Sequence, residues 1–315
     1  MPLSNLFNKI WFYPKSLFLK LKISAVHRLL NSSLKWYVLD QLGIYGHGTD
    51  LLRVDFPPKK NCQPLWGYGL SSHPDLNELI NANVSEQLQI LKSILELTHD
   101  YKLWSEKEDL EQPNIPWRTN EFLLPFDAVS LYGMILYFRP TRYLEIGSGM
   151  STRVACLARS KGDFPMEIIS IDPEPRFSIA QLCDQIYQVR LEELDCDKFL
   201  SLVTTDTIIF FDGSHRLFPS SDVTVFFLSL LPKLPSGCIV HIHDIYLPND
   251  YPPHLLNRIW SEQYVLAAYL LGGAKRLQVL LPCAHLASNQ LAQDLFVESF
   301  GTREFAGCSF WLKII

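Results

Sequence analysis

The 315-residue chain has no C-x-x-C pair, and its seven cysteines are odd in number and widely spaced. That pattern argues against a disulfide framework or a cysteine-based zinc site and suits a reducing, cytoplasmic compartment. The sequence contains no apolar run of the about 18 residues that would span a bilayer. It also has no uninterrupted apolar core followed by a small-residue cleavage site, so a signal peptide is not expected. A basic excess is missing too: the net charge is −5, which argues against nucleic acid as a partner. Charged residues make up only 19% against 48% hydrophobic, enough to bury a sizeable core. One stretch lacks acids altogether. Residues 1–39 carry Lys9, Lys15, Lys20, Lys22, Arg28 and Lys35 among bulky apolar residues, leaving the remainder at −11. A basic amphipathic stretch of this kind suits three roles: a helical cap packed on its own chain or on a second copy in a homodimer, a peripheral contact with an anionic membrane surface, or a basic substrate-contacting arm.

What is present centres on residues 142–153, RYLEIGSGMSTR. Tyr143 to Ile146 is a short apolar run bounded by Pro140 and Gly147, as expected of a buried strand. Gly147 and Gly149, flanking Ser148, allow a sharp turn and close approach of the backbone to a ligand. Ser151 or Thr152 is placed to cap the following helix, whose free N–H groups would face that ligand. Strand, Gly-x-Gly loop and helix form the opening unit of a doubly wound nucleotide fold. Glu145, near the strand end, would repel a pyrophosphate but accept from an ammonium. Thr152 stands where the dinucleotide fingerprint G-x-G-x-x-G requires glycine. A ligand with a cationic amino-acid end and an adenosine fits this loop better than NAD, and S-adenosylmethionine has both. The bland alternative is a tight turn in an α/β core.

The pattern around this loop predicts two domains, residues 1–118 and 119–315. Residues 40–72 are rich in Gly and Pro and read as connection, with His47 and His73 as loop histidines. Asn83 to about Lys107 is an expected helix with a capping-box-like start from Asn83 and Glu86 and an apolar face of Leu88, Leu91, Ile94, Leu95, Thr98 and Tyr101. Trp117 to Asn120 reads as a hinge. A second helix, starting near Pro125 to Asp127, runs to Phe138, with Asp127 as an acid favoured by the helix dipole. Further strands are expected at Glu167–Ile171, Ile186–Arg190, Thr207–Phe211, Gly237–Ile242, Arg276–Leu281 and Cys308–Ile314. The last two form an antiparallel edge. Helices are expected over Thr152–Arg159, Pro173–Cys183, Asp222–Leu231 and Trp260–Leu271. Alternation of this kind gives an α/β, doubly wound, mostly parallel seven-stranded sheet whose ligands bind at the carboxyl ends of the strands. Those ends carry Glu145 with Gly147 and Gly149, then Asp172, the expected ribose ligand, then Asp212, then His243 and Asp244.

LEIGSGMSTR, SIDPEPR, IIFFDGSH, VHIHDIYLPNDYP and WSEQYVLAAYLL resemble the class I, Rossmann-like S-adenosylmethionine-dependent methyltransferases, and within them the bacterial group called methyltransferase domain 24. The resemblance covers roughly residues 119–315. Related small-molecule O-methyltransferases of the macrocin type hold magnesium with an acid after the fourth strand and two after the fifth. The resemblance therefore implies Asp212, His243 and Asp244 as metal ligands, with a histidine where the pattern has an acid. One His and two carboxylates also suit a transition metal.

Methyl transfer to an alcohol needs alignment and removal of one proton. His243, judged better exposed at its strand end, is the first candidate base and His215 the second. His241 shares the face of His243 and reads equally as a hydrogen-bonded core histidine. Without a metal, Asp212 and Asp244 order loops. The acceptor expected from the resemblance is a small molecule or saccharide hydroxyl. Two other classes compete: an NAD-dependent oxidoreductase on a similar sheet, which Glu145 and the missing third glycine oppose, and a non-catalytic binding or scaffold protein.

Overall fold

The computed structural model describes residues 63–175, 181–273, 275–303 and 305–315, together with the backbone of 44–47 and 50–53. Two compact units divide the chain. One comprises residues 1–62 with 257–259, the other 63–256 with 260–315. In the first, β1 (Ile44–His47) and β2 (Asp50–Arg53) pair as an antiparallel hairpin. The basic segment 1–39, and with it the membrane and dimer expectations, lies outside the described residues.

The second unit begins with helices α1 (Pro74–Asn81) and α2 (Val84–Leu97), followed by α3 (Pro125–Phe138). The expected boundary at 118/119 is not where the chain divides, because α2 packs directly on α3. Leu91, Ile94, Leu95, Thr98 and Tyr101 are buried as the helical spacing required, and Leu88 packs against the same core. The capping box is not formed. Asn83 makes no side-chain cap bond, and Glu86 instead accepts from the Gln278 amide at 3.0 Å. Trp117 is buried in the core beside these helices and Asn120 Oδ1 accepts from the amides of Phe122 and Leu123, so this stretch is packed structure and not a hinge.

Strands β3 (Arg142–Ile146), β4 (Glu167–Ile171), β5 (Gln185–Tyr187), β6 (Thr207–Phe211), β7 (Ile239–Ile242), β8 (Leu277–Pro282) and β9 (Phe310–Ile314) form one sheet in the order β5-β4-β3-β6-β7-β9-β8. The first five are parallel; β9 runs antiparallel between β7 and β8. The helices α4 (Met150–Gly162), α5 (Cys196–Ser201), α6 (Asp222–Val225), α7 (Glu262–Leu271), α8 (Cys283–Leu286) and α9 (Gln290–Phe300) complete the unit.

The continuous apolar runs of β3, β4 and β6 follow from burial on both faces. Tyr143, Ile168 and Phe210 join one core with residues of α2, α3, α4 and α9. Leu144, Ile146, Ile169 and Phe211 join the other with α1, α5, α6 and α7. Phe211 stacks on Phe226 at 4.2 Å, a burial worth about 1.5–3 kcal/mol per ring. The helix expected over Asp222–Leu231 is α6 continued by a π-helical turn, Phe226–Leu230. The helix expected at Pro173–Cys183 falls partly on residues 176–180, outside the described residues. Its described flanks are bends and turns, not helix.

Strand alternation also fixes Glu145. It shares the face of Tyr143, so its carboxylate points beneath the first turn of α4 and not along the sheet edge.

Candidate active site

The β3–α4 loop turns at Gly147, with φ +80°, and Gly149, with φ 148°. At Gly147 a Cβ would overlap the carbonyl oxygen of Asp212, so the loop from β3 lies directly on the end of β6. Gly149 is the N-cap of α4, which begins one residue before Ser151. Neither Ser151 nor Thr152 is the N-cap itself, but Thr152, the third helical residue, reaches back to the N-cap amide as in a capping box. The hydroxyls of both residues donate to Glu145 at 2.9 and 2.5 Å, and the Tyr143 hydroxyl lies at 3.4 Å from the same carboxylate. Thr152 also accepts from the Gly149 amide at 3.0 Å. Glu145 is fully buried, and its oxygens serve the loop-to-helix junction. The expected open carboxylate awaiting an ammonium is corrected accordingly. Burial pushes its carboxyl up to about 8, against the opposing hydroxyls.

Asp172 follows β4 and ties two loops together. Its Oδ2 accepts from the amide and hydroxyl of Ser148, both at 2.8 Å, and its Oδ1 accepts from the Glu174 amide at 2.8 Å. Gly147, Ser148, Met150, Ser151, Phe210 and Asp212 line a cleft over the glycine loop, with Phe122 and Leu123 completing its wall. Four expected ligand residues, Gly147, Ser148, Ser151 and Asp212, therefore face one space. Glu145 and Thr152 lie behind it.

Along the same rim, Asp212 follows β6 and Asp244 follows β7. Asp244 adopts a left-handed backbone, φ 57°, as does His215, φ 61°. Asp and His tolerate this region better than most residues. The DGSH loop is anchored where the Ser261 amide donates to the His215 carbonyl at 2.7 Å. His215 Nε2 lies 3.5 Å from Asp212 and 3.7 Å from Asp244, while Nδ1 meets Glu262 at 2.5 Å. Burial disfavours charge on this ring, but Glu262, Asp244 and Asp212 together outweigh it and raise His215 to about 9. Trp260 packs on the ring at 4.2 Å.

His243 does not sit where the strand-end argument put it. It is 4% exposed, with Nε2 facing Asp127 at 3.5 Å and Cys308 Sγ at 3.7 Å. Its Nδ1 lies 3.9 Å from both Asp212 and Asp244. His243 is thus a buried junction, and His215 is the histidine whose Nε2 faces the two rim carboxylates. His241 is the core histidine of the bland reading. It bonds Ser309 at 2.7 Å, stacks on Trp311 at 4.0 Å, and burial lowers it well below the ordinary imidazole range.

Asp212, His215 and Asp244 each offer one ligand atom, all within 4.8 Å of one another. Two carboxylate oxygens and an imidazole fit a divalent cation. His215, not His243, completes this set. Three residues beyond those expected from the sequence join the site: Glu262, Asp127 and Cys308. Glu262 stood within the quoted WSEQ motif. Asp127, expected as a helix-dipole acid, accepts instead at Oδ1 from the amides of Cys308 and Ser309 at 2.8 Å.

Residues 144–245 match the family model Methyltransf_24, described as a methyltransferase domain. Residues 144–245 form a methyltransferase domain of this family. The match spans the glycine loop, Asp172, Asp212, His215, His243 and Asp244 of this methyltransferase. No curated protein matches the chain. Among solved structures, it is similar to the CmcI-N160 apo-structure, at 14% identity and TM-score 0.38 over 66% of this chain and 78% of that one. It is also similar to the S-adenosylhomocysteine-bound methyltransferase PaMTH1 of Podospora anserina, at 13% and 0.36 over 75% and 97%. A third is the O-methyltransferase from Bacillus cereus in complex with S-adenosylhomocysteine, at 13% and 0.34 over 72% and 90%. Likenesses this loose assign none of those proteins' ligands or substrates to this methyltransferase.

Proposed function

We propose that the methyltransferase acts on a hydroxyl of a small molecule or glycan, with S-adenosylmethionine as donor. The supporting observation is the meeting of Asp212, His215 and Asp244 at the strand ends, beside the cleft over Gly147 and Ser148. In this reading Gly147, Ser148 and the α4 N-terminus border the donor, and Asp172 holds the loop that frames it and is placed for ribose hydroxyls once Ser148 yields.

Transfer breaks the donor's S–CH3 bond, forms an O–CH3 bond and frees one proton. Glu262 accepts from Nδ1 of His215 and fixes the ring, so Nε2 is the atom that takes the acceptor's proton. With His215 raised to about 9, Nε2 takes the proton only from the neutral ring, whose share grows as pH rises toward that value. A divalent cation bound by Asp212, His215 and Asp244 would instead lower the hydroxyl's own pKa and orient it. Phe122 and Leu123 narrow the cleft and exclude water from the donor.

The test is a screen of hydroxylated small molecules and saccharides with the full chain and S-adenosylmethionine, reading S-adenosylhomocysteine release and product mass. A hydroxyl product, lost in His215→Gln while calorimetric binding of S-adenosylhomocysteine persists, supports the reading. Binding of NAD(H) without binding of S-adenosylmethionine overturns it.

A further inference from the structure

Behind the rim lies a second cluster, Asp127, His243 and Cys308, with all three residues buried. Cys308 Sγ is 3.4 Å from Asp127 Oδ2 and 3.7 Å from His243 Nε2, and those two atoms are 3.5 Å apart. A tetrahedral zinc ion, with bonds of about 2.3 Å to sulfur and about 2.0–2.1 Å to nitrogen and oxygen, sets its donors about 3.3–3.6 Å apart. The three separations are close to those values.

The second argument is a count of protons and charges. The Cys308 thiol carries one proton, yet Asp127 Oδ2, Asp244 Oδ1 at 3.3 Å and His243 Nε2 all face it. One S–H satisfies one of them. Buried Asp127 and part-exposed Asp244 both face this single thiol, an arrangement that favours positive charge between them, from His243 or from a metal ion. Asp127 is also prepared as a ligand. Its Oδ1 is held by the amides of Cys308 and Ser309, leaving Oδ2 aimed inward. Outer bonds of this kind orient metal ligands. Gly307 permits the approach, since a Cβ there would stand 2.8 Å from Asp127 Oδ1.

We propose that Asp127 Oδ2, His243 Nε2 and Cys308 Sγ bind one zinc-class divalent cation inside the domain, separate from the set Asp212, His215 and Asp244. A thiolate with an imidazole selects zinc over magnesium or calcium. Binding releases the thiol proton to solvent and changes no oxidation state. The ion joins the start of α3, the end of β7 and the lead-in to β9. A water completes the fourth position.

The experiment uses the full chain, stripped with chelator and titrated with cobalt(II) chloride as a spectroscopic stand-in for zinc. The expected result is a thiolate-to-cobalt charge-transfer band saturating at one ion per chain and displaced by zinc. Cys308→Ser should abolish the band; Asp212→Asn should leave it. Absence of the band in the wild type, its persistence in Cys308→Ser, or its loss in a folded Asp212→Asn overturns the proposal. If Cys308→Ser does not fold, Asp127→Asn decides. It keeps an acceptor for the two amides, and cobalt affinity should fall at least about tenfold; unchanged affinity overturns the proposal. None of these readouts depends on methyl transfer.

Discussion

Thr152 donates its hydroxyl proton to Oε1 of Glu145 at 2.5 Å while accepting from the Gly149 amide at 3.0 Å. A buried carboxyl thus holds the turn that shapes the donor cleft. Its pKa of about 8 stands well above the ordinary value near 4.3. Between those values the folded chain keeps a proton that the unfolded chain has lost. This group's contribution to stability is complete below the ordinary carboxyl range and is lost as pH rises through about 8, by up to about 1.4 kcal/mol per pH unit. Glu145→Gln should flatten the decline in melting temperature between about pH 5 and about pH 8. An unchanged slope would show that Glu145 is ionised when buried.

Asp172 accepts three hydrogen bonds that join the β3 and β4 loops. Bonds to a charged acceptor contribute about 1.5–3 kcal/mol each. Asp172→Ala should weaken S-adenosylhomocysteine binding at least about tenfold in calorimetry and, because Asp172 is buried, lower stability by about 3 kcal/mol or more.

Gly147→Ala meets two obstacles at once, a left-handed backbone and the Asp212 carbonyl. The expected destabilisation is about 1–3 kcal/mol, with donor binding lost. Denaturant unfolding and calorimetry measure the two effects separately. A variant that binds as well as the wild type would remove the glycine loop from the donor site.

Glu262 is buried and faces His215 at 2.5 Å. Glu262→Ala leaves the imidazole without its carboxylate, at a cost of about 3–5 kcal/mol. Glu262→Gln keeps the shape and should cost less. In the isosteric variant turnover should fall about 100-fold or more while donor affinity is retained. Equal losses in binding and turnover would make Glu262 a packing residue only.

Much of this architecture can be read in the chain. β4 and β6 coincide with the apolar runs at Glu167–Ile171 and Thr207–Phe211, because strands buried on both faces leave continuous hydrophobic stretches ended by a polar residue. Pro125 at the first turn of α3, and a left-handed Arg139 before Pro140, mark that helix equally clearly. The short α1, α5 and α9 were passed over, since a helix of a few turns packed by tertiary contacts carries a weak periodic signal. The rim could be located because its residues follow strand ends. Which side chains face one another could not. Asp127 and Cys308 are separated by most of the domain, and only the insertion of β9 brings them together. Likewise, the burial of Glu145 depends on which face of β3 α4 covers, a fact that no local pattern records.

The placement of β9 ties the far end of the chain to the cluster behind the rim. Until Phe310–Ile314 slots between its two neighbours, β7 has a bare edge, and neither the Cys308 thiol nor its amide reaches Asp127. The bonds from the Cys308 amide and thiol to Asp127, behind the rim, therefore belong to the closed sheet alone.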